Sequence, residues 1–293
     1  MWQTVTSAFH QLTSLAPAIA ALAVALYGCN LVLCALRWRA ALWALGTPMG
    51  FRTATVGMLC SVFVNNITPA RVAGDVFRIG WLKERAGVEV GRGTASVAID
   101  RLLDLTPLGF IGLLSLSTVR PYLSQLHAPL MLAGVLVSLL VLAIVVIRRA
   151  PGAKARFAEV RTHVVGPGEK RGQKIAVGVA LAALAWLADL SRLSLIAHGF
   201  GVDLTVPQAA LLVVMVLVGS LAPTVGGLGA VEGGLAAALV WFGVPTDRAL
   251  AITLTERAIS YWLSTAAGGL TLLLLGGRKV WTSLQHVSPE RVA

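Results

Sequence analysis

"LAPTVGGLGAVEGGLAAAL", Leu221 to Leu239, breaks an apolar run with a proline, five glycines and a carboxylate, Glu232. Pro223 lacks a backbone donor, and Gly226, Gly227 and Gly229 tolerate positive φ, so no regular helix is expected through this stretch. The surroundings make the break informative. Of 293 residues, 57% are hydrophobic and 13% are charged, and mean hydropathy is +0.80, outside the balance of soluble domains. This composition predicts an all-α polytopic membrane protein, a single transmembrane domain over 1–293. Irregular backbone survives at bilayer depth only where protein or a water-filled cavity surrounds it. The stretch is therefore predicted to turn a re-entrant hairpin, Val206 to Gly243, within the protein.

A bilayer core of roughly 30 Å takes about 20 helical residues. Apolar runs of that kind are Ala16 to Leu36, Thr94 to Ser117, Ala128 to Ile147, Ile175 to Ala197 and Ala251 to Leu275. No basic n-region or small-residue cleavage site precedes Ala16, which reads as the start of a retained helix. A second broken region, Phe51 to Arg85, carries "VNNITPARVAGDVFR" at its turn. Its arm Phe51 to Asn66 would span about 24 Å as a helix, short of the core, so a second re-entrant hairpin is expected. Asn66, Pro69 and Gly74 mark this turn; Pro223, Gly226, Gly227 and Gly229 mark the other.

The net charge is +11, but the basic residues sit mainly in short connectors, so they report topology rather than nucleic-acid binding. Residues 148–174 hold eight of them, which places that connector in the cytoplasm. Walking outward from it puts seventeen of 24 Lys and Arg inside, among them Arg37 and Arg39 at the inner end of the first helix. Arg120 and Arg248 fall outside. The N-terminus is expected outside, the C-terminus inside, and the whole chain in a cytoplasmic (inner) membrane of bacterial type. Cys29, Cys34 and Cys60 lie in apolar segments and read as small buried hydrophobes, and the five His have no metal-like spacing, so no metal or cofactor is expected.

At an offset of about 155 residues the halves match in order. Arg37 and Gly46 mirror Arg192 and Gly201, Pro69 mirrors Pro223, and Asp100 and Arg101 mirror Glu256 and Arg257. Under the charge-derived topology, matched elements run in opposite directions. That predicts two inverted-topology repeats, about 16–118 and 175–276, separated by an extra helix at 128–147 and the connector 148–174; such proteins place their site near the midplane, between the repeats.

Ionisable groups are costly at the bilayer centre and face cavities or one another. Here Arg71, Asp75 and Arg78 surround the first turn, with Asp100, Arg101 and Asp104 on the next helix. Asp189 and Arg192, Glu232, and Glu256 and Arg257 belong to the second half. Spacing of three allows Asp75 to pair with Arg78 and Arg101 with Asp104 on shared helix faces. Arginine holds phosphate through paired hydrogen bonds, and the helix N-termini after the turns suit an anion. The expected substrate-binding set is Arg71, Asp75, Arg78, Asp100, Arg101, Glu232, Glu256 and Arg257. Purely structural ion pairs and glycines that serve only close helix packing are the competing readings.

With "NNITPARVAGDVFR" (Asn65 to Arg78), "SVAIDRLLDL" (Ser96 to Leu105), "PTVGGLGAVEGG" (Pro223 to Gly234) and "TERAISYW" (Thr255 to Trp262), the chain resembles flippase-like proteins related to the transmembrane part of lysylphosphatidylglycerol synthases. In that family the membrane part is thought to move a lipid between leaflets, and a separate soluble domain makes the aminoacyl ester. After Gly277 only "RKVWTSLQHVSPERVA" follows, so the resemblance implies lipid transport without the synthase activity. The expected function is non-enzymatic transfer of an anionic or zwitterionic lipid head group through a polar cavity, with a membrane lipid and the bilayer as partners. A secondary transporter for a small soluble anion and an integral lipid-modifying enzyme remain open alternatives.

Overall fold

A computed structural model of the protein describes residues 15–69, 72–119 and 171–275. Arg71, the extra helix at 128–147, most of the basic connector and both termini lie outside the described residues. Among those described, every regular element is helical. The first half contains α1 (Pro17–Ala44), α2 (Phe51–Ile67), α3 (Ala73–Ala86) and α4 (Val90–Val119). The second contains α5 (Arg171–Gly199), α6 (Val206–Ser220), α7 (Ala230–Trp241), α8 (Thr246–Arg257), a π-helical turn (Ala258–Leu263) and α9 (Ser264–Leu274).

Element lengths recur. They are 28, 17, 14 and 30 residues in the first half. In the second they are 29, 15 and 12, then 12, 6 and 11 in unbroken succession for α8, the π turn and α9. A helix of 17 residues reaches roughly 25 Å, and the other hairpin arms are shorter still. α1 lies antiparallel to α5: Gly199 abuts Leu15 and Ile19, and Lys174 Nζ donates to the Trp43 carbonyl at 3.3 Å. Each hairpin leans on the other half. α2 packs along α9, with Gly268 and Gly269 against Phe63, and α6 packs on α4, with Ala210 and Val214 against Ile111.

The distribution of polarity is that of a protein solvated by hydrocarbon. Leu273 is 81% exposed and Leu22, Leu184, Leu187, Phe110 and Leu113 also face outward, whereas Arg37, Arg78, Asp100, Arg192 and Glu256 are buried. A buried charge and an exposed apolar face are the informative departures from soluble-protein burial. α1 and α5 are each long and apolar enough to cross a membrane, with mean hydropathy 2.3 and 1.7. Arg39, Arg52, Lys83, Arg85, Arg92 and Lys174 gather at one end, where Arg85 also donates to the Leu275 carbonyl at 2.7 Å. The other end holds Asp203, Asp247 and Arg248.

The first helix corrects the sequence reading. It continues eight residues past Leu36, so Arg37 sits inside a helix, 4% exposed, rather than in a connector at the inner surface. Hydropathy stops at a charge, but "RWRAALWA" is made of good helix formers and the charge has partners elsewhere in the fold. Cys29 also departs from expectation: it is exposed on α1, while Cys60 is buried.

Candidate functional site

The two broken turns touch. Pro69 and Val225 form an antiparallel bridge, and the Gly226 amide donates to the Thr68 carbonyl at 3.4 Å. Both rest midway along the α8–α9 span. Asn66 Nδ2 donates to Ser264 Oγ (3.0 Å) and Thr265 Oγ1 (2.8 Å), and Tyr261 OH donates to the Asn66 carbonyl at 3.3 Å. Gly226, Gly227 and Gly229 all take positive φ, as the sequence predicts. At Gly226 a Cβ would stand 2.2 Å from the Tyr261 ring and 2.6 Å from the Asn66 carbonyl, so glycine there serves close approach as well as φ. Gly74 does the same in the first hairpin, where a Cβ would meet the Ser61 carbonyl at 2.4 Å.

Around the turns the charges form two networks. In the first, Arg37 on α1 donates from Nε to Asp100 Oδ1 at 2.8 Å and from Nη1 to Asp104 Oδ1. Arg78 on α3 donates to Asp100 Oδ2 at 2.8 Å and lies over the Trp38 ring, 4.2 Å from its centroid. Asp75 is the third residue of α3 and receives Arg101 in a paired arrangement, Nε to Oδ2 at 3.0 Å and Nη2 to Oδ1 at 2.7 Å. The Asp75 to Arg78 pair forms at 3.4 Å. The expected Arg101 to Asp104 pair does not: Arg101 turns to Asp75, and Asp104 accepts from Arg37 and from Trp186 Nε1 at 2.9 Å. Partners from other helices displace the local one.

In the second network Arg192 on α5 joins Glu256 (Nη1 to Oε1, 3.1 Å) and Asp189 (Nη2 to Oδ1, 3.2 Å). Asn30 adds a donor to Asp189 Oδ2 at 3.0 Å. Arg257 donates to Glu232 Oε1 at 2.7 Å and to the Gly226 carbonyl at 3.2 Å, which ties this network to the turn. Two pairs correspond to those of the first half: Arg37 to Asp100 matches Arg192 to Glu256, and Arg101 to Asp75 matches Arg257 to Glu232. Tyr27, Asn30, Cys34 and Arg37 form one stripe on α1 that links the networks, with Tyr27 beneath Arg192, 5.3 Å from ring centroid to guanidinium.

Two expectations change. The helix N-termini behind the turns each have one amide taken from within the protein: Glu232 Oε2 accepts from the Gly229 amide at 2.7 Å, and Asn65 Oδ1 accepts from the Gly74 amide at 2.8 Å. Side-chain oxygens cap those donors from within the protein. The turns also meet in direct contact rather than across a hollow. A cavity of about 440 Å³ lies instead between α1, its connector to α2 and α5, lined by Leu36, Ala40, Trp43, Met49, Val177 and Leu181.

Of the predicted site residues, Asp75, Arg78, Asp100 and Arg101 converge in the first network and Glu232, Glu256 and Arg257 in the second. Among those described, Arg101, with 47% of its side chain exposed, and the partly exposed Asp75 and Glu232 are accessible. Arg37, Asp104, Asp189 and Arg192 belong to the networks although the expected set omitted them. The ordered sequence match between the halves, which aligns Arg37 with Arg192, carries the signal that would have found that pair.

Residues 2–268 match the family Lysylphosphatidylglycerol synthase TM region. Similar proteins include a UPF0104 membrane protein of Methanothermobacter thermautotrophicus, 27% identical over 80% of this chain and 77% of the relative. Others are UPF0104 membrane proteins of Pyrococcus horikoshii, 23% identical (89% and 88% covered), and Methanocaldococcus jannaschii, 24% identical (83% and 81%). These relatives are archaeal and lend no support to a bacterial source. The chain belongs to the lysylphosphatidylglycerol synthase transmembrane-region family and is an integral membrane protein.

Proposed function

We propose that the protein moves an anionic or zwitterionic lipid head group between leaflets along a polar path at the touching turns, while the acyl tails stay in the bilayer. The observation that carries this reading is the contact of Pro69 with Val225, midway along the last span and flanked by the Arg101–Asp75 and Arg257–Glu232 pairs. In this reading the halves are inverted repeats and α2–α3 and α6–α7 are re-entrant hairpins; the recurring lengths and the antiparallel α1 and α5 support it. The basic end faces the cytoplasm across a cytoplasmic membrane.

A lipid phosphate competes with Asp75 for the paired donors of Arg101, and the ammonium of a zwitterion takes the carboxylate so released. Rocking of one half against the other parts the turns. No covalent bond is made or broken, and the membrane lipid is the partner.

The test is leaflet exchange of labelled phosphatidylglycerol and phosphatidylethanolamine in liposomes holding the purified protein. Faster exchange than in protein-free liposomes is expected, slowed by Arg101→Ala and Glu232→Gln in folded protein. No acceleration of either lipid overturns the proposal. Uptake of phosphate into the lumen would point to a soluble-anion carrier, and a chemically altered lipid to an enzyme.

A further inference from the structure

The first helix carries two arginines two residues apart, and their surroundings differ. Arg37 turns inward to Asp100 and Asp104. Arg39 lines the cavity of about 440 Å³ between α1 and α5 instead. Its Nε donates to the Met49 carbonyl at 2.9 Å, and its guanidinium stands 6.0 Å from the Phe51 ring centroid. Among the described residues it forms no ion pair, and its two Nη groups have no hydrogen-bond partner. Lys174, at the same end of α5, is in a similar condition. Its Nζ lies 4.6 Å from the centroid of the Trp43 ring and bonds the Trp43 carbonyl, with no acid paired to it among the described residues.

The cavity below these cations is apolar. Leu36, Ala40 and Trp43 share one face of α1 through spacings of four and three, and Val177 and Leu181 face them from α5. From Trp43 back to Leu36 is seven residues, about 10 Å of helix, so the cavity runs from the level of the charges toward the bilayer interior. Trp43 is 44% exposed and Val177 41%, which opens the mouth sideways, onto the hydrocarbon-facing surface. Water finds no partners in such a hollow, and an empty one forfeits dispersion contacts along its walls.

We propose that this groove binds one anionic phospholipid, with an acyl chain between α1 and α5 and its phosphate against Arg39 and Lys174. The Nη pair of Arg39 holds phosphate oxygens through parallel hydrogen bonds, and Lys174 adds a point charge. Basic pockets between transmembrane helices take anionic head groups in this way. A zwitterionic lipid would bring its own cation to a place where no acid is paired to receive it, so charge complementarity selects the anion. The groove shares no residue with the Arg101–Asp75 and Arg257–Glu232 pairs. Its lipid is a resident one that completes the packing of α1 on α5, and the proposal does not depend on the transport reading.

Native mass spectrometry of the purified protein in detergent, titrated with phosphatidylglycerol and phosphatidylcholine of identical chains, tests the site. A one-to-one phosphatidylglycerol adduct is expected, severalfold more abundant than the phosphatidylcholine adduct. Arg39→Ala and Lys174→Ala are expected to reduce it severalfold. Val177→Trp, which fills the mouth and keeps both cations, reduces it as well; should Arg39→Ala fail to fold, the other two carry the test. Arg92→Ala removes an exposed cation that does not line the groove and is expected to leave the adduct unchanged. Equal adducts of the two lipids in the wild type, an undiminished adduct in the groove variants, or an equal loss in Arg92→Ala overturns the proposal. Leaflet exchange is not measured, so either result leaves the transport reading to its own test.

Discussion

In the first half, Arg37 and Arg78 hold both oxygens of Asp100; in the second, Arg192 holds one oxygen of Glu256, and Leu235 stands where a second arginine would be. The frame is the same in both: an arginine of the first helix, an acid of the last span, and an acid at the third position of the helix after the turn. What differs is the charge count among the described residues: Arg37, Arg78 and Arg101 face Asp75, Asp100 and Asp104 in the first network, and Arg192 and Arg257 face Asp189, Glu232 and Glu256 in the second. In both, buried charges joined across helices hold those helices together.

The largest expected effect separates the two directly. Asp100→Asn leaves Arg37 and Arg78 buried against too little negative charge, and breaking a buried pair from one side costs about 3–5 kcal/mol. Thermal unfolding in detergent is expected to show a large loss of folded protein. Glu256→Gln, at the matching place, leaves Arg192 bonded to Asp189 and is expected to cost less. Equal losses at the two positions would break the comparison.

Between these extremes lies Gly226→Ala, which forces a Cβ against the Tyr261 ring in a left-handed backbone. Overpacking of this kind costs about 1–3 kcal/mol. The expected result is a displaced second turn, measurable as faster cross-linking or labelling of a cysteine placed at Val225. Gly74→Ala is the counterpart in the first hairpin, where the obstacle is the Ser61 carbonyl, and unchanged stability in both would show that the turns do not need this closeness.

Much of this frame is written locally. Pro69, Pro223 and the glycines announce the turns, and the hairpin arm from Phe51 and the α6 start at Val206 lie where apolar runs begin. The networks are less visible because their bonds cross the chain. Arg37 reaches Asp100 and Asp104, 63 and 67 residues away, and no window on α1 contains either. For the same reason a spacing of three misassigned Arg101 to Asp104. The cap at Gly74 is hidden too, since Asn65 reaches an amide nine residues away that becomes a neighbour only once the turn closes, whereas Glu232 bonding the Gly229 amide is a local capping box.

The smallest effect on stability is expected at Arg101, and that is why it is the most telling position for function. Its bonds to Asp75 are half exposed, and a pair of that kind contributes about 0.2–1 kcal/mol to folding. Arg101→Ala should therefore leave the unfolding midpoint nearly unchanged. If the side chain holds a lipid phosphate during passage, loss of a charge-assisted hydrogen bond worth about 1.5–3 kcal/mol slows exchange roughly ten- to a hundredfold. Arg101→Lys keeps the charge without the paired donors and falls between. Arg257→Ala is the matching change in the second half, but Arg257 is buried and tied to Gly226, so it is expected to destabilise the fold as well as slow exchange. Slow exchange with intact folding at Arg101, beside a joint loss at Arg257, would assign head-group contact to the exposed pair. Normal exchange in folded Arg101→Ala would remove the first half from the lipid path.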